Sequence, residues 1–142
     1  MSLDLHELRR RLTEALEGRP EVLEAYVFGS RAQGRAQPHS DVDVAVYVAE
    51  IPDAPFGFEA ELAADLMSIV GDDRVDVVVL NRAPPLLYYR VLRDGERLFS
   101  RDARATTARE GRALSRYCDY ARQLAKIDAA VRDRIARGDF GR

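Results

Sequence analysis

Three aspartates and a glycine-serine turn hold the side chains of this sequence best suited to chemistry. Asp41 and Asp43 lie two apart in the run Asp41-Val42-Asp43-Val44-Ala45-Val46, and Asp76 opens another apolar run, Val77-Val78-Val79-Leu80. Aspartate has poor strand propensity, so carboxylates at the heads of valine-rich segments need a reason. Residues two apart on a strand share a face, with Cα atoms about 7 Å apart. Both carboxylates can then reach one divalent ion, or bracket two ions about 4 Å apart. Like charges that close repel, and one would have its pKa raised unless a cation held both. An all-oxygen ligand set selects Mg²⁺ or Mn²⁺ over zinc. Asp76, on a separate strand, can complete the metal site or accept a proton from an acceptor hydroxyl.

The turn precedes this cluster. Ala25-Tyr26-Val27-Phe28 runs into Gly29-Ser30-Arg31-Ala32-Gln33-Gly34-Arg35. A glycine at a strand end lets backbone approach a phosphate with no Cβ in the way. Ser30 adds a hydroxyl donor, and amides at the start of a following helical turn can point at an anion. Arg31 or Arg35 supplies positive charge for a triphosphate. Each residue also has a plainer reading. Gly-Ser occurs in many turns, Asp41 can be a turn residue after Ser40, and Asp76 can pair with Arg74 at a strand entrance. The conjunction of turn, paired carboxylates and third carboxylate, in that order of elements, favours a site for phosphoryl chemistry.

The surrounding elements must place these groups. Leu5, Leu8, Leu12 and Leu16 recur at three- and four-residue spacing, which predicts an amphipathic helix ended by Gly18 and Pro20. Glu24 to Phe28 reads as a short strand stopped by Gly29. Residues 29–40 read as a loop, with one helical turn after Ser30. Val42, Val44, Val46 and Val48 alternate with Asp43, Ala45 and Tyr47, a strand with one apolar face and with Asp41 and Asp43 together on the other. Phe58, Leu62, Leu66 and Ile69 mark a helix ending near Gly71. Val75 to Leu80 reads as a strand buried on both sides. Pro84-Pro85 opens a short helix through Leu92, Asp94-Gly95 is a turn, and Arg97-Leu98-Phe99 is a last short strand. Ala108, Leu114, Tyr117, Ala121, Leu124, Val131 and Ile135 predict one long helix, or a broken pair, over residues 104–137. The pattern is a small α/β (α+β) domain, with a mixed central sheet flanked by helices and a long C-terminal helix. Residues 1–142 form one domain, with its core at about 20–100.

Composition fits this. The chain has 142 residues, 46% apolar and 32% charged, enough to bury a core without disulfides. Residues 1–100 hold 18 acidic and 11 basic side chains and the remainder 6 and 11, so an acidic body (−7) carries a basic tail (+5). Cys118 reads as a small packing residue, and His6 and His39 are too scattered for a zinc site. No apolar run approaches the roughly 20 residues of a membrane span. The N-terminus is charged from Asp4 onward, unlike a signal peptide. A cytoplasmic location is expected. The closing Asp139-Phe140-Gly141 has no kinase context around it.

The residues resemble the nucleotidyltransferase superfamily that includes DNA polymerase beta. Its hallmark is Gly-Ser, a short spacer, Asp-x-Asp and a carboxylate on a later strand; here these are Gly29-Ser30, ten residues, Asp41-Val42-Asp43, and Asp76. The spacer and the stretch GSRAQGRAQPHSDVDVAV look most like the minimal nucleotidyltransferase (MNT) group. RVDVVVLNRAPPLLYYRVLRDGERLFSRD and RYCDYARQLAKI look like it too, so the resemblance covers most of residues 22–127. It implies the polymerase beta-like fold and an antitoxin paired with a HEPN-domain ribonuclease toxin. Such a protein transfers AMP from ATP to a tyrosine hydroxyl of the toxin. By that resemblance Gly29 and Ser30, with Arg31, hold the ATP phosphates. Asp41, Asp43 and Asp76 bind Mg²⁺, and Asp76 helps deprotonate the tyrosine.

Other readings stay open on the sequence alone. A small-molecule (antibiotic) nucleotidyltransferase usually needs a second domain or a dimer to enclose its acceptor. A non-catalytic binder would neutralise its partner by contact, using Tyr117 and Tyr120 among the arginines of the last helix. Polymerisation lacks a template-binding domain, and overall acidity argues against direct nucleic-acid binding. Assembly with itself or with the toxin is not decided by the sequence.

Overall fold

The computed structural model describes residues 4–29, 41–71 and 74–138. The elements run α1 (Leu5–Glu17), β1 (Val22–Phe28), β2 (Val42–Val48), α2 (Phe58–Val70), β3 (Val75–Val79), a 3₁₀ turn (Leu80–Arg82), α3 (Pro85–Asp94), β4 (Glu96–Ser100) and α4 (Ala103–Ala136). Apart from the added 3₁₀ turn, this is the order predicted from the sequence.

Local chemistry sets the helix ends. Asp4 caps α1 by accepting from the Glu7 N–H at 2.8 Å, and Asp102 caps α4 through the Arg104 and Ala105 N–H groups. Pro85 takes the first position of α3, where its missing N–H costs nothing. The turn from α1 into β1 is held from the far end of the sheet. The Arg101 guanidinium donates to the carbonyls of Val22 (2.5 Å), Glu17 (2.8 Å) and Arg19 (2.8 Å). Carbonyls at a helix end have no partner within the helix, so a cation placed there satisfies them and complements the dipole.

The four strands lie in the order β3-β2-β1-β4. β1 is antiparallel to both β2 and β4, and β2 is parallel to β3 across the α2 connection. One face packs on α1 and α2 in a cluster that includes Leu8, Leu12, Leu16, Val42, Val44, Val46, Val48, Leu62 and Leu66. The other face meets α3 and the start of α4 through Tyr26, Ala45, Leu80, Ala83, Tyr88, Val91 and Ala113. The result is a mixed sheet between two helical layers.

Several sequence expectations need correction. β1 starts at Val22, earlier than expected, with a register shift between Val22 and Glu24. β3 is an edge strand, and Val77 and Val78 are only half-buried, so its apolar run does not mark burial on both sides. Val70, not Ile69, completes the buried stripe of α2; Ile69 is 36% exposed. Residues 103–136 form one unbroken helix of 34 residues, about 51 Å long at 1.5 Å per residue. Cys118 is exposed on it and is not a packing residue. Only Thr106 and Ala113 of α4 are buried, and Tyr117 stacks on Tyr89 of α3 with ring centroids 3.8 Å apart. Beyond that stack Leu124, Ile127, Val131 and Ile135 all face solvent.

Candidate active site

The parallel pairing of β2 with β3 brings two of the expected carboxylates together. Val42 is level with Val75, and Asp43 is the direct register partner of Asp76. Asp41 lies one residue before β2 begins. The amide of Val42 donates to the Arg74 carbonyl at 2.8 Å, which aligns the starts of the two strands. Period-two alternation puts Asp43 on the same face as Ala45 and Tyr47, the face covered by α3 and α4. Ala45 is wholly buried there, whereas Asp43 is half-buried and Asp76 exposed. The carboxylates therefore sit where that covered face opens to solvent.

On the other side of Asp43, β1 ends. Phe28 is the register partner of Asp43, and Gly29 follows it with φ of +87°. A Cβ at Gly29 would collide with Oδ2 of Asp43. Glycine is needed here to let the chain leave β1 across the carboxylate, a requirement distinct from approach to a phosphate. Ser30 and Arg31, and Arg35 with them, lie outside the described residues.

The electrostatics favour a cation beside these carboxylates. Burial pushes the Asp43 carboxyl up to about 6, and the charges of Asp76 and Asp41 push it the same way. Among the described residues no arginine or lysine pairs with Asp41, Asp43 or Asp76, so the plainer reading of Asp76 as an ion-pair partner of Arg74 is not met. The three side chains do not converge as a ready-made metal cage among the described residues. The donor set nonetheless fits a hard divalent cation: three carboxylates from adjoining positions, mutually repelling, with no cation among the described residues to offset them.

Sequence reasoning missed a second charged cluster. Glu24 of β1 is wholly buried and accepts from Arg109 Nε (2.7 Å), Arg109 Nη2 (2.5 Å) and Thr106 Oγ1 (3.0 Å) of α4. Tyr26 Oη donates to Glu110 at 2.7 Å. These contacts fasten α4 across the carboxylate-bearing face. The available signal was a glutamate inside an otherwise apolar strand.

This fold, with paired aspartates on adjacent strands beside a glycine turn, defines a nucleotidyltransferase. The polymerase beta nucleotidyltransferase family matches residues 10–104, and the chain belongs to it. The protein adenylyltransferase MntA of Shewanella oneidensis is 36% identical over 80 residues, 56% of this chain and 55% of that protein. The aligned stretch thus spans about half the length of that relative. A crystal structure of a toxin–antitoxin with AMP-PNP superposes with a TM-score of 0.73 at 29% identity, covering 87% of this chain and 98% of that one. The tri-AMPylated Shewanella oneidensis HEPN toxin in complex with its MNT antitoxin gives 0.69 at 26% identity, covering 89% and 98%. Among the described residues no helix is long and apolar enough to cross a membrane.

Proposed function

We propose that this protein is the antitoxin of a HEPN/MNT pair and acts as a protein adenylyltransferase. It transfers AMP from ATP to a tyrosine hydroxyl of a HEPN ribonuclease toxin, in the cytoplasm. The observation that carries the reading is the register pairing of Asp43 with Asp76, with Asp41 and Gly29 beside them. The similarity to MntA and to the toxin–antitoxin complexes supports the choice of substrate.

In this reading Asp41, Asp43 and Asp76 would hold Mg²⁺ or Mn²⁺. When bound, the ion supplies positive charge that offsets the triphosphate and the developing charge at phosphorus. Gly29, Ser30 and Arg31 hold the phosphates. Asp76, the most exposed of the three carboxylates, faces the acceptor and takes the tyrosine proton. The tyrosine oxygen bonds to the α-phosphorus, the bond from that phosphorus to the β-phosphate oxygen breaks, and pyrophosphate leaves. Rate enhancement comes from positioning and charge neutralisation.

The test is to incubate purified protein, Mg²⁺ and labelled ATP with a co-expressed HEPN partner. Label on a toxin tyrosine, lost in Asp41→Ala/Asp43→Ala, is the expected result. Protection from toxicity that survives that double variant would overturn catalysis in favour of neutralisation by contact. Label on an aminoglycoside and on no protein would overturn the protein acceptor. Ser30→Ala is expected to weaken ATP use and leave the melting temperature unchanged.

A further inference from the structure

The sheet face that carries the carboxylates ends in a second recess, at the other end of β2. Tyr47 lines it, four residues beyond Asp43, which is about 13 Å along a strand. Ala45 lies between them, wholly buried in the same cluster as Tyr88 and Val91. The recess is therefore separate from the carboxylate site, and its chemistry does not depend on the proposed reaction. Its volume is about 130 Å³, and Asn81, Tyr88, Arg109, Arg112 and Arg116 also line it.

Some of the polar groups in this recess already have partners and others do not. Asn81 is tied to backbone through both its oxygen and its nitrogen, accepting from Val48 N–H at 2.9 Å and donating to Val48 C=O at 2.7 Å. Arg109 is committed to Glu24 and lies over the Tyr47 ring, 4.8 Å from its centroid. Arg112 and Arg116 stand one turn apart on α4 and join no ion pair among the described residues. Like charges at that spacing repel when nothing negative lies between them. The Tyr88 hydroxyl belongs to a side chain 4% exposed, and it has no hydrogen-bond partner among the described residues. Buried hydroxyls are nearly always satisfied, so an orphan hydroxyl on a residue that lines the recess points to a ligand. Burial pushes Tyr88 up to about 12, which keeps the hydroxyl protonated and able to donate at neutral pH.

We propose that this recess is a binding site for a single phosphate group, held by Arg112, Arg116 and the Tyr88 hydroxyl. All three uncommitted groups can donate, and two carry fixed positive charge, so the complement is an oxyanion. A phosphate brings about −1.5 to −2 charge at neutral pH to match two guanidiniums, with oxygens left for the hydroxyl, whereas a carboxylate brings only one negative charge. The volume admits a phosphate with a few waters and is too small to enclose a whole nucleotide.

The experiment is isothermal titration of the full chain with inorganic phosphate and, separately, with AMP, in EDTA and at constant ionic strength. Saturable phosphate binding is expected. It should weaken at least tenfold in Arg112→Ala/Arg116→Ala, two exposed positions whose loss leaves the circular dichroism melt unchanged. It should weaken about threefold in Tyr88→Phe, which keeps the ring in the core. Asp43→Asn, which is expected to stop adenylyl transfer, should leave this binding as in the wild type. AMP binding tighter than phosphate and lost in the same variants would assign the site to a phosphorylated small molecule. No saturable phosphate binding, or binding undiminished in the double arginine variant, would overturn the proposal.

Discussion

Gly29 is placed so that any side chain on it would occupy the position of the Asp43 carboxylate. The turn and the metal-binding candidate are therefore one steric unit. The φ of +87° at Gly29 adds a second requirement for glycine. Gly29→Ala is expected to lose about 1–2 kcal/mol of stability from the left-handed backbone alone. Because Asp43 must also move, adenylyl transfer should fall by roughly 100-fold, the scale of a 1 Å misplacement. Thermal unfolding and a labelled-ATP assay measure the two effects.

Asp43 couples stability to pH. Its folded-state value of about 6 lies above the ordinary 3.8, so the native state binds more protons between those values. Stability of the metal-free protein should fall as pH rises from about 4 through about 6 and stay at the lower level above. Asp43→Asn removes that dependence. At pH 7.5 the metal-free variant should melt roughly 2–4 °C above the wild type, about 1 kcal/mol after discounting for solvent access to a half-buried group. The same variant should lose transfer activity by about 10²–10³-fold. A gain of stability with a loss of activity distinguishes a ligand position from a packing position.

Magnesium should act in the opposite direction on the same group. Adding Mg²⁺ at pH 7.5 is expected to raise the melting temperature of the wild type, because a cation between the carboxylates relieves their repulsion and binds only the folded arrangement. EDTA should reverse the rise and stop transfer. Asp41→Ala/Asp43→Ala should show no rise; an equal rise there would move the ion elsewhere.

The Glu24–Arg109 pair makes a separate demand. Arg109→Ala leaves a wholly buried carboxylate without its cation, and about 3–5 kcal/mol should be lost in urea denaturation. Replacing both partners, Glu24→Met with Arg109→Met, should recover most of that loss, since neither a charge nor an empty volume remains.

Much of this was legible along the chain because the signals are local. Alternating valines fix the face of Asp43, and leucines at three- and four-residue spacing mark α1. The role of Gly29 beside a carboxylate required knowing that β1 and β2 are antiparallel with Phe28 level with Asp43. The edge position of β3 was hidden because Val75 to Leu80 is as apolar as an interior strand, while exposure depends on which strands flank it. Glu24 could be read as a charge in an apolar segment, but its partner lies 85 residues away on α4. Ser30 and Arg31 carry the clearest phosphate-turn signal and fall outside the described residues.

The single unbroken α4 has a consequence for how the chain opens. Residues 103–117 are held by Glu24, by Ala113 in the core and by the Tyr89–Tyr117 stack. Past Ala121 the described residues of the helix are all exposed, and a free segment of about 15 residues is marginal in water. One continuous helix is thus two cooperative units. Amide protons on its first half should exchange only when the whole domain opens. Those of residues 122–136 should exchange through local fraying, orders of magnitude faster, with the boundary about one turn past Tyr117.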